Sequence, residues 1–223
     1  MVSKYDLKEL LGVSNTERQR EIIGCEESQI VCNAFRNAGY NAYSNDLKPT
    51  RGNPLYHFQE DVFDSIKRRY WDLIILHPDC TALALSGNRW YGKGMIYHDK
   101  REKAINWTLA LWNEAKKYSN HVALENPASV IFKYLPRVQY IQPWQFGHGE
   151  KKKTGFALHN LPRLIATDIV SGREERIWKM PPGPNRKRDR SVTYTGIANA
   201  IVDQWGAHIK NQSKGFTNVA PII

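Results

Sequence analysis

Short, unbroken apolar runs alternate along the chain with longer segments whose apolar residues recur every three or four positions. Runs of the first kind predict buried strands, and segments of the second kind predict amphipathic helices. The first predicted helix carries five apolar residues on one face: Ile30, Val31, Ala34, Phe35 and Ala38. Ser28 is placed to cap this helix at its N-terminus, and Gly39 is placed to end it.

Seven segments have the apolar character of strands. In chain order they are REIIGCEES, YNAYSND, LYHFQED, WDLIIL, HVALENP, VQYIQPW and GFALHNL. A long amphipathic helix, KREKAINWTLALWNEAKKY, lies between the fourth and the fifth of them. Because strands alternate with helices, the sequence predicts an α/β fold with a doubly wound, mostly parallel sheet of the Rossmann-like kind.

Polar residues follow several of these predicted strands. In sheets of this kind, ligands bind beyond the carboxyl ends of the strands. We therefore expect one edge of the sheet to gather residues 24–27, Asp46, Asp61, residues 77–80, Glu125 and Asn126.

The composition fits one large domain that is not embedded in a membrane. Of the 223 residues, 41% are hydrophobic and 24% charged, and no apolar run approaches the roughly 18 residues of a membrane span. The three cysteines form no CxxC pair, so neither a disulfide framework nor a metal site is predicted, and we expect a cytoplasmic protein. We predict a helical extension at 1–19, a single domain at 20–210 and a flexible tail at 211–223.

A net charge of +10 points to a polyanionic partner, and the basic residues are concentrated in the C-terminal third. They lie in HGEKKK and in GREERIWKMPPGPNRKRDRS, where Pro and Gly argue against a packed element. We therefore predict a short loop region at about 165–193 that contacts nucleic-acid phosphates, with Arg186, Lys187 and Arg188 among the contacts.

The turn IIGCEES and the acid at the end of the next strand predict a cofactor site. A glycine before a helix N-terminus, here Gly24, with an acid such as Asp46 to hold ribose hydroxyls, is how this architecture binds a nucleoside-containing cofactor. The carboxylates of Glu26 and Glu27 beside Cys25 disfavour a pyrophosphate and tolerate a cation. This favours the sulfonium of S-adenosylmethionine over NAD. A plain strand-to-helix turn is the alternative interpretation.

Cys80 and Glu125 are candidate catalytic residues. Cys80 follows a strand end, where backbone amides or a helix terminus can stabilise a thiolate, so it is a candidate nucleophile. Glu125 ends the next strand and can donate a proton or hydrogen bond to the nitrogen of an electron-poor ring. The alternatives are an ordinary loop cysteine and a glutamate that caps the following turn.

Taken together, these motifs resemble the DNA cytosine-5 methyltransferases, especially the small members found in phages and prophages. IIGCEESQIVCNAFRNAGY resembles their first cofactor motif, with Asp46 and Asp61 at the two acidic positions that follow. HPDCTALALSG is similar to the Pro-Pro-Cys loop, which gives Cys80 the nucleophile's role and makes Pro78 the first proline. LENP matches the Glu-Asn-Val motif, in which Glu125 contacts the cytosine.

Two later segments extend the resemblance. KKKTGFAL occupies the place of the family's Arg-x-Arg strand, so Lys152 and Thr154 stand where arginines contact the substrate. TGIANAIVDQW resembles the closing Gly-Asn-Ala-Val helix and places Asn199 near the cofactor. The chain departs from the family at His77 and Asp79, which flank Pro78, and an Asp in that position raises the pKa of a neighbouring cysteine.

The resemblance implies S-adenosylmethionine-dependent methylation of cytosine carbon 5 in DNA, through a covalent Cys80 intermediate on a flipped base. Three alternatives remain. An amino-directed methyltransferase, acting on N4 of cytosine or N6 of adenine, carries an Asp-Pro-Pro-Tyr loop where this chain has HPDC. The others are a catalytically inactive DNA-binding protein and an enzyme acting on a free cytidine nucleotide.

Overall fold

The computed structural model describes residues 19–216, with side chains to residue 212, and these residues form one seven-stranded sheet with helices on both faces. The strands are β1 Arg20–Gly24, β2 Asn41–Asn45, β3 His57–Phe58, β4 Leu73–Leu76, β5 Val122–Pro127, β6 Val138–Ile141 and β7 Thr154–His159. Their order across the sheet is β3-β2-β1-β4-β5-β7-β6, and β7 runs antiparallel to both of its neighbours. The predicted fold class, a doubly wound and mostly parallel sheet, is confirmed.

Eight α-helices lie in the described part of the chain. They are α1 Ile30–Asn37, α2 Val62–Lys67, α3 Asn88–Tyr91, α4 His98–Tyr118, α5 Arg176–Lys179, α6 Arg186–Ser191, α7 Thr195–Ile201 and α8 Ala207–Phe216. A π-helical stretch, Val202–Gly206, joins α7 to α8. None of these helices is long and apolar enough to cross a membrane.

The sheet is buried on both faces, which explains why its central strands read as unbroken apolar runs. Ile23 of β1 contributes to a cluster that includes Phe35 of α1 and Trp205 of the π-helical stretch. Ile22 points to the opposite face and joins a cluster that includes Ile66 of α2 and Trp112 of α4. The two clusters hold the strands rigidly, so the turns beyond their carboxyl ends have fixed positions.

Several boundaries differ from the sequence-based predictions. β3 has only two residues, because Pro54–Tyr56 form a 3₁₀ turn. The basic segment predicted as a loop contains the short helices α5 and α6. α8 continues to Phe216 and so includes part of the predicted tail. The predicted N-terminal extension, except for residue 19, and residues 217–223 lie outside the described residues.

Gly196, in the first turn of α7, allows a close backbone approach between that helix and the turn before β7. A Cβ atom at this position would lie 1.8 Å from the carbonyl oxygen of Phe146 and 3.2 Å from the ring of His148. The Gly196 N–H also donates to His148 Nε2, at 3.0 Å. The glycine therefore sets how closely α7 packs on the sheet edge.

We expect Gly196→Ala to lower the free energy of unfolding by about 1–3 kcal/mol, because the backbone must shift to accommodate the methyl group. Urea denaturation followed by circular dichroism measures this change. Gly183→Ala is the matched control, since a Cβ there meets nothing within 4 Å, and we expect a change within about 0.5 kcal/mol. Equal stability of the two variants would contradict the close-approach interpretation.

Candidate active site

The turns after four strands are hydrogen-bonded to one another at the carboxyl edge of the sheet. The His77 N–H donates to Gly24 O at 2.9 Å, and the Glu26 N–H donates to Asn45 O at 2.8 Å. The side-chain amide of Asn126 donates to Pro78 O at 3.0 Å. The expected convergence of these strand ends is confirmed, and Asn126 fixes the loop that carries Cys80.

Glu26 caps α1 with its carboxylate. Its Oε1 accepts from the Val31 N–H at 2.7 Å and its Oε2 from the Cys32 N–H at 3.1 Å, and the residue is only 5% exposed. The prediction that Ser28 caps this helix is wrong: Gln29 occupies the N-cap position with φ 59°, and the Ser28 hydroxyl lies 3.4 Å from the Ile30 nitrogen. A helix N-terminus already bound to a carboxylate has no room for a pyrophosphate.

Opposing effects act on the Glu26 carboxyl, and their net result is a raised pKa. Burial raises the pKa of its carboxyl, while the nearby His77 ring and the amide hydrogen bonds from α1 lower it. His77 therefore lies close enough to Glu26 to interact electrostatically with it.

The turn after β1 lies among carboxylates. Burial, followed by the charges of Asp46, Asp61 and Asp79 in that order, raises the pKa of the Cys25 thiol to about 12. We call this group of three aspartates the acidic edge. A negative edge at the place where this fold binds cofactors suits a cationic ligand.

The residues predicted to hold the cofactor also have structural roles. A Cβ at Gly24 would lie 2.8 Å from Val62 Cγ2, so this glycine is required for packing of α2. Asp61 caps α2 by accepting from the Phe63 N–H at 2.8 Å. Asp46 accepts from the Lys48 N–H at 2.9 Å. Asn199 is exposed on α7. Cofactor contacts for these residues remain predictions.

Cys80 is held in a tight turn, with its carbonyl accepting from the Leu83 N–H at 3.1 Å and the Ala84 N–H at 2.8 Å. Burial raises the pKa of its thiol, the charges of Glu125 and Asp79 raise it further, and the charge of Lys152 lowers it. The predicted effect of Asp79 is confirmed. The expectation of a thiolate stabilised by the fold is wrong, because burial and the two carboxylates together outweigh Lys152 and the backbone hydrogen bond, so the pKa of the thiol is raised.

Glu125 contacts His77, and the two side chains are 16% and 9% exposed. His77 Nδ1 lies 3.3 Å from Glu125 Oε2, and His77 Nε2 is buried with no hydrogen-bond partner among the described residues. The sequence singled out His77 only as a departure from the family pattern. Its contact with Glu125 depends on β4 lying beside β5, which no local pattern reveals.

Lys152 and Thr154 meet Glu125 where β7 begins. Lys152 Nζ donates to Val192 O at 2.9 Å. Burial lowers the pKa of this lysine, and the charges of Glu125 and Cys80 oppose that effect. Thr154 is 5% exposed and donates from its hydroxyl to Lys152 O at 3.1 Å. Lys152 is thus an internal positive charge facing both candidate catalytic residues.

A cavity of about 10 Å³ lies beside Glu125. It is lined by Glu125, Lys152, Thr154, Phe156, Thr193, Tyr194 and Ile197. This volume is close to the minimum that holds one water molecule. A pyrimidine ring therefore enters only if the segment around Thr193 and Tyr194 moves outward.

One of the three predicted DNA contacts reaches the Cys80 loop. Lys187 Nζ lies 2.9 Å from Asp79 Oδ2, and both side chains are mostly exposed. Arg186 donates from Nε to Met180 O at 2.8 Å, and Arg188 pairs with Asp189 at 3.1 Å. Hydrogen bonds from Thr81 and Lys187 lower the pKa of Asp79 although burial acts to raise it.

Comparisons with known proteins give similarity at the level of architecture. No family model matches the sequence, and no curated protein matches it. The structure of the Entamoeba histolytica methyltransferase EhMeth has a TM-score of 0.45 at 12% identity, covering 69% of this chain and 58% of its own. The S. pombe Dnmt2 methyltransferase has a TM-score of 0.41 at 11% identity, covering 86% of this chain and 66% of its own.

A third structure, WbdD with the kinase inhibitor LY294002, has a TM-score of 0.42 at 11% identity, covering 98% of this chain and 54% of its own. The chain thus spans less than two thirds of the length of all three proteins. At these values, no argument about activity rests on the comparisons.

The charges around Cys80 predict opposite effects of two substitutions on its ionisation. We expect Lys152→Gln to move the midpoint of Cys80 alkylation by iodoacetamide to higher pH, because it removes a positive charge that favours the thiolate. We expect Asp79→Asn to move the midpoint to lower pH, because it removes a negative charge that opposes the thiolate. Alkylation rates between pH 6 and about 10, read on the Cys80 peptide by mass spectrometry, measure both midpoints. Shifts of the same sign would contradict this assignment.

Proposed function

We propose that this protein transfers a methyl group from S-adenosylmethionine to carbon 5 of cytosine in DNA. The observation that carries the proposal is the convergence of Cys80, Glu125 and Lys152 at the carboxyl ends of β4 and β5 and the start of β7. A nucleophile and a carboxyl group at one point are the groups that this reaction requires, and the half-buried Lys152 adds a positive charge beside them.

Each residue has a defined task in this mechanism. The Cys80 sulfur adds to carbon 6 of the cytosine, while Glu125 hydrogen-bonds nitrogen 3 and so stabilises the electron-rich ring that forms. Carbon 5 then accepts the methyl group. Loss of the carbon 5 proton restores the double bond and expels the Cys80 sulfur. Lys152 favours the thiolate form of Cys80, and His77 holds Glu125 in place.

The residues of the β1 turn fit a sulfonium cofactor better than a dinucleotide. S-adenosylmethionine, when bound, supplies an electrophilic methyl group. Asp46 and Asp61 of the acidic edge would hold it, beside the turn of Gly24, Cys25 and Glu26. The carboxylate of Glu26 occupies the N-terminus of α1, where the pyrophosphate of a dinucleotide cofactor would bind.

DNA is the proposed partner because the chain has a net charge of +10 and its basic C-terminal segment reaches the Cys80 loop through Lys187. Lys187 contacts Asp79 through an exposed ion pair, and pairs of this kind contribute at most about 1 kcal/mol. A phosphate therefore competes readily for Lys187. Binding of Lys187 to a phosphate would release the basic segment from the Cys80 loop and widen access to the cavity beside Glu125.

A catalytically inactive DNA-binding protein is the second candidate function. The observation that favours it is the raised pKa of Cys80, which leaves the residue mostly a neutral thiol near pH 7 in this arrangement. The basic segment would still bind phosphates in such a protein.

Incubation with tritium-labelled S-adenosylmethionine and DNA, followed by digestion to nucleosides, tests the proposal. We expect label in 5-methylcytosine. Label in N4-methylcytosine or N6-methyladenine would indicate an amino-directed enzyme, and absence of label from DNA would support the inactive binding protein. A parallel reaction with free cytidine nucleotides tests the smaller substrate.

DNA that contains 5-fluorocytosine tests the covalent step. Fluorine at carbon 5 blocks the elimination that frees the enzyme, so wild-type protein should form a denaturation-resistant complex that requires S-adenosylmethionine. Cys80→Ser should form none, and Glu125→Gln should form much less. Cys32→Ala is the matched control, because Cys32 is buried in the core of α1 and should leave the complex intact. An adduct formed by Cys80→Ser would contradict the assignment.

Calorimetry with S-adenosylhomocysteine and with S-adenosylmethionine tests the acidic edge. We expect Asp46→Asn, which keeps a hydrogen-bond acceptor but removes the charge, to weaken S-adenosylmethionine binding about two- to fivefold. Binding of S-adenosylhomocysteine, whose thioether sulfur is neutral, should be weakened less. Asp64→Asn, on the exposed side of α2, is the control. Absence of heat with either ligand at millimolar concentration would contradict the cofactor assignment.

A further inference from the structure

A cluster of exposed aromatic and aliphatic side chains follows Cys80 in the chain. Trp90 is 49% exposed and Ile96 is 78% exposed. The other exposed members are Leu85, Met95 and Tyr97. Large apolar side chains gathered at a protein surface indicate a binding surface rather than core.

Cations accompany the aromatic rings of this cluster. The Tyr91 and Tyr97 rings lie 5.6 Å apart and are tilted by 41°. The Arg89 guanidinium lies 5.1 Å from the centre of the Trp90 ring, and the Lys100 ammonium lies 4.4 Å from that of Tyr97. We call these three rings, with Arg89 and Lys100, the aromatic platform. It offers flat apolar faces and positive charge together.

The aromatic platform is held firmly by a buried arginine. Arg101, which is 5% exposed, donates from Nε to Ala82 O at 2.7 Å and from one terminal nitrogen to Ala84 O at 3.1 Å. Its other terminal nitrogen donates to Asn88 Oδ1 at 2.7 Å. Arg101 thus ties the start of α4 to the turn after Cys80 and to α3, so the rings keep a fixed position relative to Cys80.

The platform lies on the same side of the molecule as Cys80. A Cβ at Gly87 would lie 3.2 Å from the Tyr91 ring and 3.4 Å from the Thr81 carbonyl oxygen. Tyr91 and the turn that begins at Cys80 therefore both lie beside Gly87. Lys187 also links the platform to the Cys80 turn, because it forms a hydrogen bond with Asp79 and interacts electrostatically with both Cys80 and Tyr91. A polymer that crosses the platform reaches the candidate active site.

We infer that the aromatic platform binds an unpaired nucleic-acid strand, so that the substrate is single-stranded rather than duplex. In a duplex the base faces are covered by neighbouring bases, whereas an unpaired strand offers them for stacking on Trp90 and Tyr97. Arg89 and Lys100 are placed to contact the phosphates between stacked bases. An unpaired cytosine also enters the active site without the cost of leaving a base pair.

The positive charges around the aromatic platform favour a nucleic-acid strand over an apolar protein partner. Lys93 is exposed within the same segment, and the basic helix α6 supplies Lys187 at the border of the platform. Protein-binding surfaces are depleted of lysine at their centres, whereas single-strand binders combine aromatic rings with a positive groove. The inference rests on the proposed function for the site that the strand enters, but binding is measurable without methyl transfer.

Fluorescence anisotropy with a labelled single-stranded DNA, a single-stranded RNA and a duplex of the same sequence tests the inference. At one fixed salt concentration, we expect the single strands to bind more tightly than the duplex. Trp90→Ala and Tyr97→Ala should each weaken single-strand binding about tenfold, because a stacked base is lost, and should change duplex binding little. Trp107→Ala is the control, since Trp107 is exposed on α4 but packs on Phe63 of α2.

Three results would overturn the inference. The first is duplex binding as tight as single-strand binding. The second is a loss of single-strand affinity for Trp107→Ala equal to that for Trp90→Ala. The third is a wild-type dimer that Trp90→Ala converts to a monomer, because the platform would then be a contact between two copies of the chain. Comparison of the single-stranded DNA with the single-stranded RNA shows which of the two nucleic acids the platform binds more tightly. Platform-dependent binding without methylation of any strand would refute the proposed function alone, whereas faster methylation of duplex than of single strand would refute the inference alone.

Discussion

The buried carboxylate of Glu26 is the interaction on which the candidate active site depends. It accepts two N–H groups from the first turn of α1, at 2.7 and 3.1 Å, and so fixes the turn that leaves β1. It also interacts electrostatically with His77, whose ring contacts Glu125. One carboxylate therefore sets both the chemistry of the proposed cofactor site and, through His77, the surroundings of the catalytic carboxyl group.

The reactivity of Cys80 follows from a balance of few charges. Burial, Glu125 and Asp79 all favour the thiol, and Lys152 opposes them. Lys187 and Arg190 also interact electrostatically with Cys80. A cation placed at the acidic edge would act in the same direction as Lys152, because it reduces the negative potential at the sulfur. In the proposed mechanism, ionisation of Cys80 would thereby be coupled to occupancy of the sulfonium site, so a neutral thiol in the ligand-free protein is compatible with that mechanism.

The sequence was sufficient to predict the parts of this fold that local patterns encode. The alternation of apolar runs and amphipathic segments predicted the sheet, and the polar strand ends predicted the edge where Cys80 and Glu125 meet. The antiparallel direction of β7, the contact of His77 with Glu125 and the capping of α1 by Glu26 were not predicted. Each depends on strand order or on side-chain direction in a turn, where Cys25 and Gln29 adopt positive φ values, and apolar periodicity carries no information on these.

The small cavity beside Glu125 is compatible with the proposed base binding because few contacts hold Lys152, which lines it, and the neighbouring basic segment. The pair of Lys187 with Asp79 is exposed, so breaking it costs little free energy. Lys152 holds Val192 by a single hydrogen bond to a backbone carbonyl, and a net contribution of about 1.5–3 kcal/mol is typical for a bond that involves a charged group. If the basic segment binds phosphates as proposed, a few such contacts would supply more free energy than these contacts retain. In the proposed mechanism, a nucleic acid that engages these lysines would thus widen access to the cavity.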